Sequence, residues 1–182
     1  SVKVVYYGPA LSGKTTNLNA LFEKIDPKAR GRLMVLDTKQ DRTLFFDMMP
    51  VFFKTRSGMK VKLKLYTVPG QVVHESTRRI ILQGTDAIVF VADARRSEAP
   101  AMVAYWNNLM KNLELNGLDP AKIPIVVQLN KRDLPDTRRP DEVNDLRWAV
   151  APPIVTASAF RGEGVVETFH ALLSLCFKNM DE

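Results

Sequence analysis

The stretch that most limits how this chain can fold is GPALSGKT, Gly8 to Thr15. It follows the apolar run Val2 to Tyr7 and precedes Leu18, Leu21, Phe22 and Ile25, which recur at helical spacing. A strand, a glycine-rich turn and the start of a helix, in that order, form a cradle for phosphate groups. Gly8 and Gly13 let the backbone curl so that N–H groups converge on phosphate oxygens, and the helix N-terminus adds its dipole. Lys14 can bridge the outer phosphates of a nucleotide, and the Thr15 hydroxyl can ligate Mg²⁺. With Leu11, Ser12 and Thr16 these are the candidate phosphate-loop residues. A chance glycine turn would share the letters but not the position between strand and helix.

The cradle does not choose the base. NKRD, Asn130 to Asp133, follows the apolar run IPIVVQL. A carboxylate at Asp133 can accept from guanine N1–H and the 2-amino group together, and adenine offers no such donor pair. Asn130 would tie this loop to the phosphate loop, with the Lys131 stem along the base. SAF, Ser158 to Phe160, follows the last strand signal and offers the Ala159 amide to the guanine oxygen. Alone, NKRD is an ordinary polar turn; downstream of a phosphate loop and on a strand exit, it reads as guanine recognition.

Six strand signals alternate with helical ones along the chain: Val2–Tyr7, VFFKT, VKLKLYTV, DAIVFVAD, IPIVVQLN and PIVTASA. VFFKT and VKLKLYTV, joined through RSGM, read as a hairpin. Helices are expected at Leu18–Ile25, in STRRIILQG, over Met102–Leu113, weakly at Asp141–Val150, and over Val165–Met180. The stretch from Gly31 to Pro50 lacks a period and reads as a long connection. The fold class is α/β, a mostly parallel six-stranded sheet with one antiparallel edge strand and helices on both faces. No linker or repeat divides residues 1–182, which read as one domain. Val2 is already strand-like, so a core fragment with its native ends trimmed is expected.

Together these motifs resemble the Ras-like small GTPases, and the likeness runs from Val2 to about Asn179. VVYYGPALSGKTTNL, DRTLFFD, YTVPGQV and LNKRDLP are similar to the MglA group, bacterial small GTPases of gliding motility and cell polarity. The resemblance implies a switch that binds GTP or GDP with Mg²⁺ and hydrolyses GTP slowly. It implies that Thr43 reaches Mg²⁺ and the γ-phosphate, that the Gly70 amide touches the γ-phosphate, and that Gln71 orients the attacking water. Arg42 resembles an arginine finger supplied in cis, a device worth about 10³–10⁵ in rate in other GTPases. From the residues alone, Arg42 is a solvated arginine on a long loop. The chain departs from the wider family at Thr67, where most members carry the aspartate that holds Mg²⁺ through water. Threonine brings no charge to that task; Asp47 offers a replacement carboxylate, and Pro69 stiffens the following loop. Implied partners are a roadblock-type GTPase-activating protein, MglB-like, and polarity or motility effectors, acting on a monomer.

The net charge is +6 and the basic residues are interleaved with acids, which reads as a solvated surface rather than a nucleic-acid footprint. TRRP and KARGR are the weak basic patches left over. The single Cys176 excludes an internal disulfide, fits a helix face, and directs the reading to the cytosol, with a polar position implied by the group. No apolar run is long enough to span a bilayer, and Cys176 is not in a prenylation box. His74 and His170 are not at metal spacing. Tyr105 and Trp106 fit a core face, whereas Phe45 and Phe46 sit in the expected first switch. Two other readings stay open. One is a nucleotide-locked interaction module, motivated by Thr67 and Pro69; the other is an ATPase or kinase using Asp93 as a metal carboxylate.

Overall fold

Val2–Tyr7 forms the first strand, β1, and its side chains alternate between two buried layers. This computed structural model describes residues 1–25, 31, 34–38, 41–54, 57–68 and 75–177, with 34–38 and 41–47 described as backbone. After the glycine turn comes α1, Lys14–Lys24, followed by β2, Met34–Thr38, β3, Asp41–Lys54, and β4, Lys60–Thr67. Helix α2, Glu75–Ile81, leads to β5, Ala87–Asp93. Helix α3, Ala99–Leu115, is followed by β6, Ile125–Asn130, β7, Ile154–Thr156, and α4, Val165–Phe177.

The strands form one sheet in the order β2-β3-β4-β1-β5-β6-β7. β4, β1, β5, β6 and β7 are parallel in pairs, and β3 is antiparallel to both neighbours. The α/β class and all six expected strands are present. A seventh strand, β2, stands at the edge, so the antiparallel strand β3 lies one place inside it. The expected long connection from Gly31 to Pro50 is therefore largely a β2–β3 ladder, with Leu36 opposite Phe46 and Asp37 opposite Phe45. Its alternation is broken by an irregularity between Asp37 and Thr38, which hides a period of two. The helix expected at Asp141–Val150 is a single 3₁₀ turn, Pro140–Glu142. The Arg139 amide donates to Glu142 Oε1 and the Glu142 amide to the Arg139 carbonyl, both at 3.0 Å, which closes that turn, and the next segment buries Val143 and Leu146 with Trp148 at the margin of the core.

β5 and β6 are buried along their whole length, as strands covered on both faces must be. On one face Val5, Tyr7, Ile88 and Phe90 meet Trp106, Leu109 and Leu113 of α3. On the other, Val4, Tyr6, Val89 and Val91 meet Leu18, Leu21, Phe169 and Leu172. Phe90 and Trp106 stack edge to face at 5.1 Å, and the Trp106 indole donates to the Arg147 carbonyl. Helix α1 thus covers one face of β1 while α2 and α3 cover the other. The loops leaving β1, β5, β6 and β7 gather at one end of the sheet, where such folds hold ligands.

Candidate nucleotide site

Gly8 ends β1 so close to β5 that a Cβ on it would lie 2.1 Å from the Val91 carbonyl oxygen. Gly13 caps α1 in the left-handed region, φ 106°, and a Cβ there would lie 2.2 Å from Asn130 Nδ2. Both glycines are thus required by contact, and at Gly13 by backbone conformation as well. Leu11 also adopts a left-handed conformation, φ 64°, and its side chain is exposed at the rim. The Lys14 ammonium donates to the carbonyls of Gly8 at 2.8 Å and Pro9 at 2.6 Å. Burial, reinforced by the charge of Arg78, brings its pKa down to about 7. The Ser12 hydroxyl is buried without a hydrogen-bond partner among the described residues. A desolvated cation and an unspent hydroxyl inside a curl of backbone fit an anion. Thr15 and Thr16 are exposed on the first turn of α1.

Asn130 laces three loops together. Its Nδ2 donates to the Ser12 carbonyl at 2.9 Å, and its Oδ1 accepts from the Ala159 amide at 2.9 Å. The Ser158 hydroxyl donates to Asp133 Oδ1 at 2.8 Å, which holds that carboxylate at the mouth of the site. Lys131 leaves β6 at φ 69° and its ammonium reaches Asp93 Oδ2 at 3.1 Å. The phosphate loop, NKRD and SAF, read separately in the sequence, form one constellation.

Arg95, Gln128, Asn17 and Thr168 were not foreseen. Arg95 grips Asp93 with its Nε at 3.0 Å, a terminal nitrogen at 2.7 Å and its backbone amide at 3.1 Å. Burial works to raise the Asp93 pKa, but the hydrogen bonds from Arg95 and Lys131 outweigh it and hold the carboxyl below its usual range. That carboxylate is already committed to two cations, which weighs against its use as a metal ligand. Behind the phosphate loop, Asn17 and Gln128 exchange side-chain amide bonds at 2.8 Å each, and Gln128 also donates to Thr168 Oγ1 at 2.9 Å. The available signal was Gln128 itself, a polar side chain inside the apolar run IVVQLN.

Under α2 lies a second buried network. Arg78, 2% exposed, pairs with Glu75 at 2.5 Å, donates to Asn108 Oδ1 at 3.2 Å, and lies over the Tyr105 ring. Asn108 Nδ2 donates to Glu75 at 2.7 Å, and the Tyr7 hydroxyl donates to Asn108 Oδ1. The residue before Gly8 is thereby joined to α2 and α3.

Thr67, buried at the end of β4, stands opposite Tyr6, two residues before Gly8. Arg42, Thr43 and Asp47 lie on β3, not on the loop expected for them. The β3–β4 ladder ends at Met48, so Asp41–Asp47 project past it, with Asp41 and Phe45–Asp47 paired with β2 on either side of the register shift. Pro69, Gly70, Gln71 and His74 lie outside the described residues. Trp106 is core, His170 is exposed, and the Cys176 thiol is half-buried with its pKa pushed up to about 11 by burial.

The family that matches this chain is the ADP-ribosylation factor family, over residues 1–176. Among curated proteins, the mutual gliding-motility protein MglA of Myxococcus xanthus is 43% identical over 173 residues, 95% of this chain and 89% of that protein. The ADP-ribosylation factor-like protein 2 of Arabidopsis thaliana is 25% identical over 88% of each. The GTPase Obg of Syntrophomonas wolfei is 34% identical over 94 residues, 52% of this chain and 22% of that protein. The chain therefore belongs to the ADP-ribosylation factor family, as a Ras-like small GTPase of the MglA group and a hydrolase of GTP.

Proposed function

We propose that this GTPase is a molecular switch whose GTP state recruits partners that govern cell polarity or motility. The observation that carries the reading is the Asn130 clasp, which places a phosphate loop, an aspartate at the mouth of the site and the Ala159 amide around one crevice. Gly8, Leu11, Ser12, Gly13, Lys14, Thr15 and Thr16 hold the phosphates. Lys131 and Asp133 hold the guanine, with Asn130, Ser158 and Ala159 fixing their loops. The Ala159 amide already donates to Asn130, so it meets a base oxygen by sharing its hydrogen. At phosphate sites Mg²⁺ takes one or two protein oxygens and completes its shell from phosphate and water. Thr15, Thr43 and Asp47 are the residues proposed to hold it here, and it would neutralise phosphate charge.

In the proposed mechanism Lys14 regains its full charge when phosphate replaces the Gly8 and Pro9 carbonyls as its partner. Gln71 orients water in line with the γ-phosphate, and the Gly70 amide and Thr43 register the presence of that phosphate. Arg42 neutralises charge as the bond to the leaving oxygen lengthens. Loss of phosphate removes the contacts that order both switch segments. The named relative is a gliding-motility protein, which supports polarity or motility effectors, a cytoplasmic and polar position, and an MglB-like roadblock dimer as activator. Single-turnover phosphate release from the purified chain, with and without such an activator, tests the switch. Tight GTP binding with no turnover under either condition would favour the nucleotide-locked module, the reading that Thr67 motivates.

A further inference from the structure

The hairpin end of the sheet has two unlike faces. On one, Met49, Val51, Leu63 and Leu65 are buried beneath α1 and α4. The other presents Pro50, Phe52 and Lys54 of β3, Lys60, Lys62 and Lys64 of β4, and Lys3 of β1. The register sets Lys54 opposite Lys60, Phe52 opposite Lys62, and Lys64 between Pro50 and Lys3. Five lysines thus share three adjacent strands, while Pro50–Lys54 and Lys60–Thr67 contain no aspartate or glutamate. Lys54, Lys60 and Lys62 are exposed, and Lys54, Lys60, Lys62 and Lys64 form no ion pair among the described residues. The Lys62 ammonium lies 5.7 Å from the centre of the Phe52 ring. Lys3 donates to the Gln83 carbonyl and feels Asp86.

Such a face has a cost. Like charges directly opposite on neighbouring strands are destabilising, and Lys54–Lys60 and Lys3–Lys64 are two such pairs. Protection of a sheet edge accounts for Lys54, Lys60 and Lys62, which lie where β3 has passed β2 and β4 has not yet met β1, but not for Lys64 and Lys3, which face each other inside the sheet. A solvated face that had only to be polar would mix signs. Phe52, 44% exposed, stands among the lysines, and Met59, 43% exposed, lies at the same end of the hairpin. Lysines are flexible point charges, unlike the planar fork of arginine that selects a shaped partner. A lysine-dominated face with protruding apolar groups fits an extended anionic surface rather than a groove-bound peptide.

We propose that this hairpin face adsorbs on an anionic phospholipid bilayer. The lysines meet headgroup phosphates, and Phe52 and Met59 enter the interfacial layer. Each lysine near such a surface contributes about fivefold to partition, and salt weakens the attraction.

The test is sedimentation of the 182-residue chain with vesicles of phosphatidylcholine containing about one third phosphatidylglycerol. The chain sediments with them at low salt and not with pure phosphatidylcholine. The double variant Lys60→Gln/Lys62→Gln weakens partition roughly 25-fold. The control Lys111→Gln/Lys122→Gln, with the same change in net charge elsewhere on the surface, leaves it intact. Removing the Lys54–Lys60 like-charge pair leaves the first variant at least as heat-stable as the parent, and its GTP retention is unchanged. Equal weakening by both variants would reduce the effect to net charge and overturn the proposal. So would failure to sediment at low salt, or capture by polyglutamate in place of vesicles, which would assign the face to an acidic protein.

Discussion

Asn130→Ala is the change from which most can be learned about the site. The side chain is 3% exposed and makes two bonds of 2.9 Å, donating to the Ser12 carbonyl and accepting from the Ala159 amide. Truncation leaves a buried carbonyl and a buried amide unpaired. A buried group so stranded costs about 1–3 kcal/mol, more than the net worth of the bond it lost. Two such groups give about 2–6 kcal/mol, and the lower half applies because both loops can relax toward solvent. The expected loss is therefore roughly 2–4 kcal/mol in the urea unfolding free energy of the nucleotide-free chain. The second consequence is kinetic: the phosphate loop and SAF lose their common tie, so fluorescent GDP leaves faster. Asn130→Asp separates the two bonds, keeping the acceptor for Ala159 and losing the donor to Ser12. If Asn130→Ala unfolds within about 0.5 kcal/mol of the parent and releases GDP at the parental rate, Asn130 does not lace these loops and the clasp argument fails.

Lys14 predicts a proton linkage. Its folded pKa, about 7, lies below the ordinary 10.5, so the unfolded chain binds more protons between those values. The stability of the nucleotide-free chain therefore rises with pH across that window, and Lys14→Met flattens the rise. GDP binding at pH 8 is accompanied by proton uptake, read by calorimetry in buffers of different ionisation enthalpy; zero uptake means that Lys14 is already charged and contradicts its lowered pKa. Gln71→Leu retains GTP binding and loses turnover in single-turnover phosphate release, and normal hydrolysis in that variant removes Gln71 from the mechanism. Arg42→Ala lowers the same rate by about 10³ or more if its guanidinium acts in cis, and a change under tenfold refutes that role. Asp133→Asn moves preference toward xanthine nucleotides in competition binding, and unaltered selectivity refutes the guanine contact.

The parts of the site visible in the sequence are those where local chemistry and position coincide. Gly8 and Gly13 could be read because a glycine turn between a strand and a helix has few alternatives, and the contacts they make with Val91 and Asn130 give the physical reason. Asn130 was legible only through its spacing from that turn. β2 was not legible: its partner register shifts between Asp37 and Thr38, so the alternation that marks a strand is interrupted. The helix expected at Asp141–Val150 failed for the opposite reason, since a faint periodicity carries no weight where Val143 and Leu146 alone are buried and Trp148 meets the core only at its margin. The Arg95–Asp93–Lys131 group could not be read because charge pairing across 36 residues of chain, Arg95 to Lys131, leaves no local pattern. Four lysines of the hairpin face, counted among solvated charges, became a patch only once the register put Lys54 beside Lys60.

Arg78 sets the manner in which α2 can respond to anything that happens at Gly8. Its guanidinium is buried against Glu75 and Asn108, and Tyr7, joined to the same Asn108, is the last residue before the phosphate loop. Glu75 and Arg78 both belong to α2 and move together, so a gradual slide of α2 along α3 breaks their bonds to Asn108 instead; that strands a guanidinium only 2% exposed short of a partner, and the slide meets a steep wall. Two kinds of arrangement escape it: one with the bonds to Asn108 intact, and one in which the helix has swung far enough for the Arg78–Glu75 pair to reach water. Intermediate positions are depopulated, and a graded pull from the phosphate loop is converted into a threshold. The helix behaves as a latch with a detent, its sharpness set by how deeply Arg78 is buried.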